Sequence, residues 1–162
     1  MPSIRILWAR LRAEFIFIPL LFALDRLSKI IALDLLRQRG SVKLAPFLRL
    51  TYVENTGAAF GSFQGGNYAL GVAAVIVLGL LFYWRGDLLK YGPAARWAFI
   101  LITAGAFGNL YDRIVLGYVV DYIDFIIWPV FNAADSFITI GACLLCRCFI
   151  KESLQNGREG KK

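Results

Sequence analysis

The chain has 162 residues, of which 59% are hydrophobic and 15% aromatic, and its mean hydropathy is +0.62; a soluble domain averages about 45–50% apolar residues, so the excess points to a membrane protein. It contains no histidine, which excludes zinc sites that need an imidazole, HExxH peptidases and Ser–His–Asp triads. The net charge of +7 comes from 18 basic and 11 acidic residues. The basic ones fall between apolar segments rather than in one patch, which is a membrane-topology signal and not a nucleic-acid surface.

About 20 apolar residues cross a bilayer, and the pattern predicts four such helices. The first covers residues 13–33: it is purely apolar from Phe15 to Leu24 and then carries Asp25, Arg26, Ser28 and Lys29. Its basic start (Arg5, Arg10, Arg12) resembles that of a signal peptide, but no A-x-A-like site precedes Asp25, so a retained helix is expected. Asp25 and Lys29 stand four apart on one helix face, where they can pair, either to hold the helix end to its neighbours or to orient groups in a site.

Residues 41–67 form the long non-helical stretch. Leu48-Arg49-Leu50-Thr51-Tyr52 alternates apolar and polar, the period of a half-buried strand. Asn55-Thr56-Gly57 and Gly65-Gly66 are turn chemistry, and a small β-rich element between the first two helices is expected. The run from Glu54 to Gly61 is polar and then small. It reads as a turn, or as a close approach in which the Asn55 amide offers donors and an acceptor.

The second span, 68–84, has no charged residue, and the third covers 97–115. Gly105 and Gly108 let helices pack closely in lipid, and Asn109, Asp112 and Arg113 follow near the end of this span. Mutual capping explains Asp112 and Arg113 but not Asn109. An Asn with an Arg four residues on suits a substrate carbonyl or a lipid-linked polar group at the membrane edge. The fourth span covers 132–150, with Asn132 as a good N-cap and Asp135 at N3. Cys143, Cys146 and Cys148 near its end read as small apolar fillers: three thiols are too few for a tetrahedral cluster, and Cys146 and Cys148 point to different faces. Residues 151–162 are a basic tail.

The N-terminus (Arg5, Arg10, Arg12), the second connection (Arg85, Lys90, Arg96) and the tail (Arg147, Lys151, Arg158, Lys161, Lys162) hold 11 of the 18 basic residues. An even number of spans puts all three on one side, the cytoplasmic one. The clusters Asp25–Lys29, 109–113 and 132–136 then converge at the outer ends of their helices.

Two carboxylates, Asp121 and Asp135, lie where apolar segments begin or end, and a carboxylate near lipid is usually retained for a reason. Helix capping accounts for Asp135. Acid/base chemistry accounts for both: the helix dipole would favour an ionised Asp135 while a less solvated Asp121 kept its proton, and unlike environments that separate two carboxyls provide a base and an acid. Asp124 is a competing candidate by pattern. An ion- or proton-coupled carrier would use the same carboxylates as a relay, although the second span offers no polar group to continue a path.

Five runs in order, Asp25-Arg26-Leu27-Ser28-Lys29, Asn55-Thr56-Gly57-Ala58-Ala59-Phe60, Gly108-Asn109-Leu110-Tyr111-Asp112-Arg113, Val119-Val120-Asp121 and Phe131-Asn132-Ala133-Ala134-Asp135-Ser136, make the chain resemble the bacterial lipoprotein signal peptidases, the type II signal peptidase family of membrane aspartyl endopeptidases. The resemblance covers nearly the whole chain. It implies a four-helix multi-pass protein of the bacterial cytoplasmic (inner) membrane, with cytoplasmic termini, a small extracytoplasmic β-rich element and an active site near the outer face. It implies removal of the signal peptide from prolipoproteins, cut before a cysteine that already carries a diacylglyceryl group. Asp121 and Asp135 correspond to the catalytic dyad, and Asp25, Lys29, Asn55, Asn109, Arg113 and Asn132 to the polar shell that binds or orients substrate. Asp124 falls outside the dyad. Ala104 stands where a second glycine is expected beside Gly105, a departure that bears on helix packing. The implied partners are the lipidated substrate and membrane lipid, with no metal, organic cofactor or nucleic acid, and the working unit is expected to be a monomer.

Overall fold

The computed structural model describes residues 4–57 and 66–159. Ala58, Ala59, Phe60, Gly61, Gly65 and the last basic residues of the tail lie outside the described residues.

Helix α1 runs from Ile4 to Leu36 and is longer than the expected first span. A hairpin follows, β1 (Ser41–Ala45) and β2 (Leu48–Asn55), and then α2 (Asn67–Tyr83). A short helix α3 (Arg85–Leu88) and a 3-10 turn (Leu89–Tyr91) lead to α4 (Pro93–Val115). Strand β3 (Val119–Asp124) and helix α5 (Ala133–Glu159) complete the chain.

Among the described residues, two helical stretches, Pro93–Val115 and Ala133–Gln155, are by themselves long and apolar enough to cross a membrane. A third qualifies when α2 and the segment Arg85–Tyr91, bent from it by 60°, are taken together. Helix α1 does not qualify, because Asp25, Arg26 and Lys29 interrupt its apolar run. Two of those charges are withdrawn from the surroundings: Asp25 is 0% and Lys29 1% exposed. The outer faces carry exposed apolar side chains such as Phe15, Val75, Ile76 and Ile140, as lipid-facing surfaces do.

Helix α4 is the centre of the bundle, packing against α5, α1 and α2. Glycines set its distance from α5. A Cβ on Gly105 would run into the carbonyl oxygen of Ala134, one on Gly108 into the Asp25 carboxylate, and one on Gly141 would come within 2.6 Å of the Ile102 side chain. Ala104 is fully buried, and the close approach of α4 to α5 is made by its neighbour Gly105 and by Gly141 of α5, while Gly108 admits the Asp25 carboxylate of α1. At the other end of the bundle Glu14 is buried and ion-paired with Arg85, and stands 3.7 Å from Arg96, tying α1 to α3 and α4.

The expected β-rich element is present as the β1–β2 hairpin and gains a strand from far along the chain. The sheet has the order β1-β2-β3, antiparallel throughout. In its register Val53 faces Asp121 and Asn55 faces Val119, with an irregularity between Leu50 and Val53. Asp121 is therefore placed by a strand, which sheet pairing fixes on one side and the hydrogen bonds from the Val120 N–H to Asp112 of α4 and from Tyr122 to Ser28 of α1 fix on the other.

Candidate active site

Four segments bring polar side chains to one place. Asn109 is buried on the last turns of α4, Asn132 and Asp135 open α5, Asp121 is on β3 and Asn55 ends β2. Local chemistry explains α5: the N–H of Asp135 donates to Asn132 Oδ1 at 2.9 Å, and the N–H of Asn132 donates back to Asp135 Oδ2 at 3.2 Å. This is the reciprocal arrangement of a capping box, with Asn and Asp in place of Ser and Glu.

Amides supply the remaining contacts. Asn55 Nδ2 donates to Asp121 Oδ2 at 2.8 Å and Asn132 Nδ2 to Asp121 Oδ1 at 2.6 Å. Asn109 Nδ2 donates to Asp135 Oδ1 at 2.7 Å. Among the described residues these bonds give each oxygen of both carboxylates a donor, and a carboxylate oxygen has a further lone pair for a proton or a water. Asn55 is itself held, since its Oδ1 accepts the N–H of Gly57 at 2.9 Å in an Asx turn.

Asp121 and Asp135 line a common cavity of about 610 Å³ together with Asn55, Asn109 and Arg113. Its apolar wall comes from the β3–α5 connection (Trp128, Pro129, Val130, Phe131) and from α5 (Ile138, Ile140). Asp121 is 1% exposed. Burial, and after it the charge of Asp135, pushes its carboxyl up to about 7 against the hydrogen bonds from Asn55 and Asn132. Asp135 is half-buried at the helix N-terminus. The Arg113 Nε is buried and has no hydrogen-bond partner among the described residues, and the charges of Asp135 and Asp121 both act on this guanidinium.

The other two residues of the expected polar shell sit elsewhere. Asp25 and Lys29 do not line the cavity; they lie behind it, fully buried. Lys29 Nζ is 2.9 Å from both Asp25 Oδ2 and Asp112 Oδ2, and Arg26 forms an ion pair with Asp112. The cluster holds two cations and two anions, the condition under which buried charge is tolerated. Asp25 Oδ1 also accepts the Ala134 N–H at 2.9 Å, so α1 grips the first turn of α5.

Asp124 is turned away from the cavity. It pairs with Arg49, accepts from Thr51 at 3.0 Å, and accepts the Ile126 N–H at 2.7 Å. Burial alone would lift its carboxyl, but these three donors hold it below the usual carboxylate range. The sequence reading missed Trp128–Phe131 as a wall of the site, and it missed Tyr122, whose hydroxyl donates to Ser28 at 2.8 Å. No sequence signal marks either one, because both follow from where β3 docks. Among the described residues no three His, Cys, Asp or Glu side chains come together as metal ligands, and Cys143 and Cys146 are exposed on α5.

Comparison with known proteins supplies an independent measure. The family model described as signal peptidase (SPase) II matches residues 17–151. The lipoprotein signal peptidase of Thermodesulfovibrio yellowstonii is 43% identical over 132 residues, covering 77% of this chain and 86% of that protein. That of Alteromonas mediterranea is 40% identical over 158 residues, covering 88% and 85%. A solved structure of a bacterial membrane enzyme, obtained by the in meso method at 2.3 Å resolution, superposes with a TM-score of 0.78 at 31% identity, covering 87% of this chain and 89% of that one.

Proposed function

The chain belongs to the signal peptidase II family, and we propose that it removes the signal peptide from diacylglyceryl-modified prolipoproteins, with Asp121 and Asp135 as its catalytic pair. The observation that carries this reading is the pair itself: two carboxylates from different elements face one cavity, each oriented by amides, with an arginine beside them.

In this mechanism the pair holds one proton and a water between its carboxylates. The ionised member takes a proton from the water, which attacks the scissile carbonyl, and the protonated member donates to the carbonyl oxygen and then to the leaving amine. Asp121, whose carboxyl lies near 7, is suited to carry the proton at neutral pH. Arg113 stabilises the developing oxyanion and Asn55 aligns the substrate backbone. The apolar wall of Trp128, Val130, Phe131, Ile138 and Ile140 receives the lipid-bearing side of the substrate.

In the membrane, α1, the bent pair α2–α3, α4 and α5 serve as four spans, with both termini cytoplasmic and the sheet on the outer face of the bacterial inner membrane. The basic residues of the N-terminus, of the α2–α4 connection and of the tail support this orientation. The charges of α1 enter the bilayer as a neutralised cluster against α4. The chain acts as a monomer, since all the groups named in the mechanism come from one copy.

The test is cleavage of a diacylglyceryl-modified prolipoprotein by purified protein in detergent, with the unmodified precursor and Asp121→Asn and Asp135→Asn variants in parallel. Cutting of the lipidated substrate alone, abolished in both folded variants, is the expected result. Substantial turnover by either variant overturns the dyad. A well-folded protein that cuts nothing while passing protons across liposomes is a carrier instead.

A further inference from the structure

Lys29 is fully buried and does not reach the cavity, so it cannot touch substrate. Beside its two carboxylate neighbours, each 2.9 Å away, its Nζ donates to Asn109 Oδ1 at 2.9 Å. That contact carries information. An ammonium group has only donors, so the atom of Asn109 that faces it must be the oxygen, and the nitrogen then faces Asp135.

The same oxygen accepts a second hydrogen bond, from Asn132 Nδ2 at 3.2 Å. Asn132 spends its other amide hydrogen on Asp121 at 2.6 Å. The Asn109 oxygen is therefore a shared node: on one side it directs an N–H to Asp135, and on the other it steers the amide that donates to Asp121. A reversed Asn109 amide would set N–H against the ammonium and against the Asn132 amide, and oxygen against the Asp135 carboxylate. Three contacts would turn repulsive together.

Resting on the peptidase reading above, we infer that Lys29 is a positioning residue of this enzyme: it holds the Asn109 amide in the single orientation that presents a donor to Asp135 and leaves Asn132 free to bind Asp121. Asp25 and Asp112 hold the ammonium in place, and Asp25 ties the same cluster to the backbone of the helix that bears Asp135. The cluster thus reaches the pair through one neutral amide, beside the Lys29 charge that acts on both Asp121 and Asp135.

The experiment is a double-mutant cycle read as kcat and KM on the lipidated precursor, using Lys29→Met, Asn109→Ala and the pair of changes together. Loss of the orienting donor should lower kcat roughly 10–100-fold with KM within about two-fold, because a misaligned carboxylate costs turnover and not the apolar contacts to substrate. In the Asn109→Ala background the same lysine change should cost less than about three-fold, since the amide it acts through is gone. Lys29→Gln, which keeps a donor without charge, should recover most of the lost kcat. Equal penalties in both backgrounds, or a Lys29→Gln variant no better than Lys29→Met, overturn the inference. If Lys29→Met does not fold in detergent, Lys29→Gln decides it: a kcat within about three-fold of the parent supports the inference, and a loss of about ten-fold or more that persists in the Asn109→Ala background overturns it. A parent enzyme that leaves the lipidated precursor uncut would fail the peptidase reading itself, a different outcome from additive penalties in an active parent.

Discussion

Asn132 and Asp135 cap each other, side chain to backbone in both directions, and both also serve the cavity: the Asn132 amide donates to Asp121 and the Asp135 carboxylate accepts from Asn109. Helix capping and site chemistry are therefore not rival explanations of these residues. The cap supplies the rigidity that the second role needs.

The two roles separate in Asn132→Ser. Serine is as good an N-cap, so the start of α5 is kept, and the loss of the two buried amide hydrogen bonds to Asp121 and Asn109 should cost about 1–3 kcal/mol of stability. Its hydroxyl is too short to reach Asp121, and turnover should fall on the order of 100-fold, as when one oriented donor is removed from a site. Thermal melts in detergent beside kinetic assays check both halves.

The pH profile has a calculable sign. The mechanism needs one proton on the pair, and Asp121 is pushed up to about 7 by burial and by Asp135, so activity should decline as pH rises through about 7. Asn55 stabilises the ionised form of Asp121. Its replacement by alanine therefore raises the carboxyl further, and the alkaline limb should move to higher pH while the maximal rate falls. These limbs belong to the coupled pair. A limb that moves to lower pH in Asn55→Ala contradicts the assignment.

Asp124→Asn should keep most of its activity. Its carboxylate serves Arg49, Thr51 and the Ile126 N–H at the far side of the sheet and does not line the cavity. What it should lose is local order around Ile126, a non-glycine residue at φ 69°. Faster proteolysis of the β3–α5 connection is the readout, and a complete loss of turnover would mean that a different pair of carboxylates does the chemistry.

Arg113→Lys keeps the charge and removes the planar fork. Because Arg113 lines the cavity with both aspartates, kcat should drop at least about 10-fold with little change in melting temperature. Equal rates for the two side chains would show that only charge matters there.

Gly105→Ala puts a methyl group where the Ala134 carbonyl oxygen and Ile138 already stand. A cost of about 1–3 kcal/mol is expected from overpacking. Because Ala134 precedes Asp135, activity should fall further than stability alone accounts for. An equivalent alanine at Gly79, which has open space around it, is the control.

Much of this protein is determined by its sequence alone. Apolar runs broken by charge at Asp25–Lys29 and 109–113, the alternation at 48–52 and the Asn132 cap are local patterns, and local patterns dictate helices, a hairpin and helix ends. The absence of histidine excludes imidazole acid/base chemistry. Tertiary structure decided the rest. No periodicity announces that Val119–Asp124 joins the hairpin as a third strand, because strand pairing is a long-range contact between residues some 66 positions apart, as in Glu54 and Val120. That docking separates Asp121 from Asp124, sending one carboxylate into the cavity and the other to Arg49, although they are three residues apart. It likewise took packing to show that Asp25 and Lys29, alike in pattern to the cavity residues, lie behind them: burial depends on what α4 and α5 bring against α1, and a single helix cannot encode its neighbours.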